Sequence, residues 1–135
     1  MYKRQVLELL RGEVGDAIHT RESELDRWCE KLEVSVSRFG GRQQPAADAS
    51  HPAIAVNLES CIQCTRCLRA CREEQVNDVI GLAHRGALAE IVFDVADPMG
   101  ASSCVGCGEC VQACPTGALM PVSYTHLTLP TILLV

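Results

Sequence analysis

Apolar residues come along this chain in short, separated groups rather than in long runs. Val6, Leu7, Leu9 and Leu10 predict a short helical piece over 6–11, interrupted by Gly12 and Gly15. Ser23 and Asp26 have the spacing of a capping box, and Leu25, Trp28, Cys29 and Leu32 follow at i, i+3, i+4 and i+7. That pattern predicts a second helix with one apolar face. Periodicity then stops: Phe39-Gly40-Gly41 through Pro52 is a Gly-, Pro- and Ala-bearing stretch that reads as a linker. Beyond it, short apolar segments predict strands at Ala55–Leu58, Val79–Ala83, Glu90–Val95 and Ala118–Met120. A turn at His84-Arg85-Gly86 divides the middle two.

Between the predicted strands the chain repeats itself. Cys61-x2-Cys64-x2-Cys67-x3-Cys71 recurs as Cys104-x2-Cys107-x2-Cys110-x3-Cys114, the second copy followed by Pro115. Each copy reads strand, cysteine loop, short helix, strand, which predicts a pseudo-two-fold α+β domain with a small antiparallel sheet. Three cysteines at this spacing wrap a tight loop around one iron–sulfur cubane, and the fourth, already on a helix, serves the other cluster. By that rule cluster I takes Cys61, Cys64, Cys67 and Cys114, and cluster II takes Cys104, Cys107, Cys110 and Cys71. Two other uses of the cysteines compete with this one. Disulfides suit repeated x2 spacings poorly, and zinc ribbons use separated Cys-x2-Cys pairs rather than triplets with a fourth at x3.

Composition points the same way. Only five of the 135 residues are aromatic, against nine cysteines, so large rings supply little of the core. The formal charge is −5, from 12 basic and 17 acidic residues, which argues against a phosphate-driven nucleic-acid binder. Two oxidised cubanes with four thiolates each would add about four more negative charges. Arg66, Arg69, Arg72 and Arg85 are candidates for local compensation, with a solvated helix face as the plainer reading.

Around the ligands, Gly106, Gly108 and Gly117 let backbone pass close to sulfide, and Pro115 directs the chain out of the loop. Ile62, Leu68, Val105 and Val111 are the expected apolar jacket. Cys29, the odd cysteine, sits on an apolar helix face and reads as a small hydrophobe. His51 and His84 read as ordinary loop histidines. No nucleophile–base pair or phosphate loop stands out, so no catalytic residue is assigned.

Both ends carry a foreign pattern. Val122–Thr131, reading VSYTHLTLPT, resembles one reading frame of a transposase adapter used in sequencing libraries, and the opening MYKRQ resembles the reverse strand of the same adapter. The organisation expected is thus adapter at 1–5 and 122–135, a helical arm at 6–39, a linker at 40–53 and a cluster domain at 54–121. Without Lys3 and Arg4 the balance is ten bases against 17 acids, or −7, and about −11 with both clusters counted.

The run from His51-Pro52 through Cys61-Ile-Gln-Cys-Thr-Arg-Cys-Leu-Arg-Ala-Cys71 and Arg85-Gly86 to Cys104-Val-Gly-Cys-Gly-Glu-Cys-Val-Gln-Ala-Cys-Pro-Thr-Gly-Ala-Leu119 resembles a known module. It is similar to the double-cubane ferredoxin module of the alpha subunit of NAD-dependent, molybdenum- or tungsten-containing formate dehydrogenases. Complex I and iron-only hydrogenases carry related modules, while Gln75–Gly81 and Asp97–Gly100 incline towards formate dehydrogenase. The resemblance implies a bacterial ferredoxin-like fold, two [4Fe-4S] clusters and a cytoplasmic enzyme. It also implies a molybdopterin centre in a following domain, and as partners the rest of the same chain and a flavin/iron–sulfur subunit of an NAD-reducing complex. No membrane segment is expected in the fragment. Relatives usually carry a further His-x3-Cys-x2-Cys-x5-Cys cluster before the module, for which this chain offers only His19 and Cys29. A free-standing ferredoxin, a complex I or hydrogenase module, and a structural zinc module are the alternatives.

Overall fold

The computed structural model describes residues 2–14, 23–43 and 45–122. Its first helix, α1, spans Tyr2–Glu13, beginning before the expected start and running through Gly12. Gly12 is used for close approach rather than as a break: a Cβ there would lie 2.7 Å from the Ser37 hydroxyl and 3.0 Å from the Phe39 carbonyl oxygen. The second helix, α2, covers Glu24–Lys31, with the Ser23 hydroxyl accepting from the Asp26 N–H as the spacing predicts. Leu25, Cys29, Val14 and Val34 form a small buried core, with Leu7, Leu10, Leu32 and Ile62 against it. Trp28 departs from the expected face and is 45% exposed, with the Lys31 ammonium 4.9 Å from its ring. Two short helices bury one stripe between them, and a large ring on its flank stays outside. Gly15 and His19 lie outside the described residues.

The cysteine-bearing part begins with strand β1, Ile54–Val56, and a 3-10 turn at Leu58–Ser60. Helix α3, Arg66–Arg69, widens into a π-helical turn over Ala70–Glu74. Strands β2, Ile80–Ala83, and β3, Glu90–Phe93, form a hairpin with left-handed backbone at His84 and Gly86. Helix α4, Glu109–Ala113, and strand β4, Leu119–Pro121, complete the order. The single small sheet expected is in fact two: β1 pairs with β4, with Val56 opposite Leu119, and β2 with β3, with Ile80 opposite Phe93. Burial alternates along β1 and β3, so one face of each lies inward. Ile54, Val56, Val79, Ile80, Ile91, Phe93, Met99 and Leu119 make one core that also takes in Cys71 and Cys110. Met99, 1% exposed, is among its deepest side chains, a burial worth about 1.5–3 kcal/mol.

The stretch 40–53, expected to be a linker, is docked through Arg42 and residues 48–53. Asp48 and Val56 exchange backbone hydrogen bonds of 2.8 Å each, extending the edge of β1. The Asp48 carboxylate accepts from the Met99 N–H at 2.7 Å, and the Ser50 hydroxyl from the Gly100 N–H at 2.8 Å. The Ser50 side chain and the Met99 and Ser50 N–H groups hold the Asp48 carboxyl below the ordinary carboxylate range. His51 is buried, its Nδ1 accepting from the Ala53 and Ile54 N–H groups at 3.2 Å each. Val122 donates to the Ala53 carbonyl oxygen, while residues 123–135, most of the tail expected to be adapter, lie outside the described residues.

Candidate metal centre

The two cysteine loops are built on one backbone. The Gln63 N–H donates to Cys61 Sγ and the Gly106 N–H to Cys104 Sγ, both at 3.4 Å. Gln63 and Thr65 take φ of 54° and 58°, and Gly106 and Gly108, at the same places in the second copy, take 68° and 83°. A left-handed residue after the first cysteine and another after the second turn the chain tightly enough for three thiols to face inward. The third cysteine of each run then enters a short helix: Cys67 in α3, Cys110 in α4. The fourth positions differ. Cys71 lies within the π-helical turn, whereas Cys114, followed by Pro115, ends α4 in extended backbone at φ −73°, ψ 117°.

Tertiary packing sorts the eight thiols into two groups. The like charges that bear on the Cys67 thiol are those of Cys61, Cys114 and Cys64, and those that bear on Cys110 are Cys104, Cys107 and Cys71. In each group one thiol comes from the other half of the repeat. Burial, reinforced by these neighbours, pushes the Cys67 and Cys110 thiols up to about 12. Burial also raises Cys61, opposed by the Gln63 N–H and the nearby Arg42 charge. Metal binding here must therefore displace protons, and the ions must replace a solvation that burial has removed.

The first group opens onto a cavity walled by Leu58, Ile62, Ile91 and Leu119. Leu68 and Val111 pack beside the thiols as expected, but Val105 is 68% exposed and forms no jacket, because its loop projects from the body. The Thr116 hydroxyl lies 3.7 Å from Cys114 Sγ. The Ser60 hydroxyl, fully buried just before Cys61, has no hydrogen-bond partner among the described residues, a donor of the kind a cluster sulfur satisfies. Among the described residues no three Cys, His, Asp or Glu side chains close round a point the size of one metal ion. Four thiols in an apolar, N–H-lined setting fit a soft multi-iron cluster.

Of the arginines expected near the clusters, Arg66 is engaged with Glu24 at 2.6 Å and Arg72 with Asp78 at 2.6 Å, both on open surface. Arg66, within the first loop, also lies close enough for the Cys64 and Cys114 thiols to favour its charged form. Arg42, which sequence reading passed over because nothing in its neighbourhood marks it, reaches the same loop from outside, its Nη2 donating to the Cys61 carbonyl oxygen at 3.3 Å. Gln63 was passed over too, although aligning the two copies sets it against Gly106. Its side-chain amide donates to the Ala89 carbonyl oxygen, tying the first loop to the hairpin. Cys29 is buried in the arm, away from both groups, and burial raises its thiol.

Residues 53–115 match the family model of a 4Fe-4S dicluster domain. Similar stretches occur in the probable oxidoreductase YjgC of Bacillus subtilis, 36% identical over 73 residues, and in a putative formate dehydrogenase of Staphylococcus haemolyticus, 37% identical over 72. Those stretches are 54% and 53% of this chain but only 7% of either relative. The chain also shares its fold with a chain of an NAD+-reducing [NiFe]-hydrogenase at a TM-score of 0.76 and 23% identity, covering 90% of this chain and 54% of that one. A likeness over so much of the chain extends beyond the cysteine domain into the helical arm.

Proposed function

We propose that this chain is an electron-transfer module, holding one [4Fe-4S] cluster on Cys61, Cys64, Cys67 and Cys114 and a second on Cys104, Cys107, Cys110 and Cys71. The observation that carries the reading is the grouping of the thiols, three from one loop and one from the other, in both halves. A pseudo-two-fold arrangement is supported by the β1–β4 and β2–β3 pairings and by the matching N–H to Sγ contacts of 3.4 Å. When bound, such a cluster supplies a one-electron couple. The protein's own part is to hold the thiolates, exclude water and fix the spacing. The Gln63 and Gly106 N–H groups stabilise thiolate charge, Leu58, Ile91 and Leu119 keep water from the first group, and the shared core of β1, β3 and Met99 sets one group rigidly against the other.

In this reading the module belongs to a formate dehydrogenase-type oxidoreductase. Electrons released at a molybdopterin centre elsewhere in the same chain pass towards a flavin/iron–sulfur subunit and NAD. Names of the relatives support it. The hydrogenase fold likeness supports a second reading, the same module serving hydrogen oxidation. Anaerobic reconstitution with iron and sulfide, followed by metal analysis and EPR, tests the common core of both. The expected result is a brown protein giving two interacting S = 1/2 signals on reduction. A colourless protein holding zinc without sulfide overturns it.

A further inference from the structure

The docked connecting segment places a largely buried guanidinium at the first ligand loop. The Arg42 side chain is only 13% exposed and is anchored from three parts of the molecule. Its Nε meets Glu13 Oε2 of α1 at 2.9 Å, its Nη1 donates to the Ala89 carbonyl oxygen before β3 at 2.8 Å, and its Nη2 to the Cys61 carbonyl oxygen at 3.3 Å. The guanidinium is thus held within the Cys61 loop by a planar fork that a flexible ammonium would not reproduce. By contrast the side chains of Arg66 and Arg72 are 41% and 54% exposed, where water screens them.

Resting on the dicluster reading, we propose that Arg42 is the positioning residue that raises the reduction potential of the cluster held by Cys61, Cys64, Cys67 and Cys114 relative to the other cluster, and that Glu13 moderates the effect. Reduction adds one negative charge to a site already rich in thiolate. A fixed positive charge in a poorly solvated position stabilises that reduced state. The Glu13 carboxylate, paired with the same guanidinium at Nε, partly cancels its field. At the second loop the imidazole of His51 packs against Gly106, with Cε1 3.6 Å from where a Cβ would stand.

The test is an EPR-monitored redox titration of the full reconstituted chain. Arg42→Gln lowers one of the two couples, so that at fixed potential its oxidised-to-reduced ratio rises about tenfold, about 59 mV for one electron. The other couple moves much less, and the shifted one is assigned by its altered spectrum in Cys64→Ser. Arg42→Lys, which keeps the charge, retains most of the wild-type potential. Glu13→Gln moves the same couple upward. Opposite shifts for Arg42→Gln and Glu13→Gln are the signature of charge, since loosening the arm would displace both variants the same way. Unmoved couples in a loaded Arg42→Gln chain, or equal-sign shifts in the two variants, overturn the inference. An unaltered chain that takes up no iron and sulfide overturns the dicluster reading first, and this inference with it.

Discussion

Where the first cysteine loop has Gln63 and Thr65 in left-handed backbone, the second has Gly106 and Gly108. The conformation is common to both loops although the residues are not, so inward-facing thiols, not local preference, dictate it. Each non-glycine there costs roughly 1 kcal/mol. Gln63 offsets its share by bonding the hairpin at Ala89. The surroundings differ more. The first loop lies under the helical arm, where Ile62 joins the arm's core, Leu25 donates to the Pro115 carbonyl oxygen at 3.1 Å, and Arg42 sits at Cys61. The second projects, with Cys107 and Val105 exposed. One ligand pattern has therefore been given a covered half and an open half.

Four perturbations would break or sharpen this contrast. The largest concerns the thiols drawn across the repeat: Cys114→Ala should empty the first group and halve the bound iron, while the EPR signal of the other group persists. Metal analysis decides it, and loss of the second group's signal instead would refute the crossed arrangement. Next in size is thiol reactivity in the metal-free chain. At pH 8 exposed Cys107 should be alkylated first, with Cys67 and Cys110 slower by orders of magnitude because burial holds their thiols up at about 12. Their alkylation should quicken about tenfold per pH unit towards that value. The linkage has the same sign: these two thiols keep their protons longer folded than unfolded. Stability of the metal-free chain is therefore fully present below the ordinary thiol value of 9.0 and is lost as pH rises towards about 12.

The third perturbation uncovers the covered half. Leu25, 5% exposed in the arm's core, should lose about 2–3 kcal/mol as Leu25→Ala in denaturant unfolding. The same variant should speed chelator removal of iron from the first group more than from the second. Equal acceleration of both would mean that the arm does not protect one loop selectively. The smallest exchanges the loop residues. Gly108→Thr should cost about 1–2 kcal/mol through its φ of 83°, since a Cβ there meets nothing within 4 Å. Thr65→Gly should gain up to about 1 kcal/mol in thermal unfolding of the loaded chain.

Much of this was legible in the linear order of residues. The cysteine spacing, the Ser23 cap and the hairpin turn at His84–Gly86 are local features, and the strand ends all lie within about two residues of their expected places. What escaped is non-local. The segment 42–53 has no periodicity because its anchors are single side chains and backbone groups meeting partners far along the chain, such as Asp48 with Met99 and Arg42 with Ala89. Trp28 and Val105 were placed inside by pattern, but a pattern marks which residues favour burial and not whether enough surface exists to cover them.

The sequence by itself determined the chemistry of the donors, their number and the tight turns between them, because ligand type and loop geometry depend on residues a few positions apart. Only the tertiary structure decided which loop would be roofed by helices, that Arg42 would reach the Cys61 carbonyl oxygen from outside the loop, and that an apparent linker would be part of the domain. Those outcomes depend on surfaces brought together from distant parts of the chain, where packing and long-range hydrogen bonds outweigh any local preference.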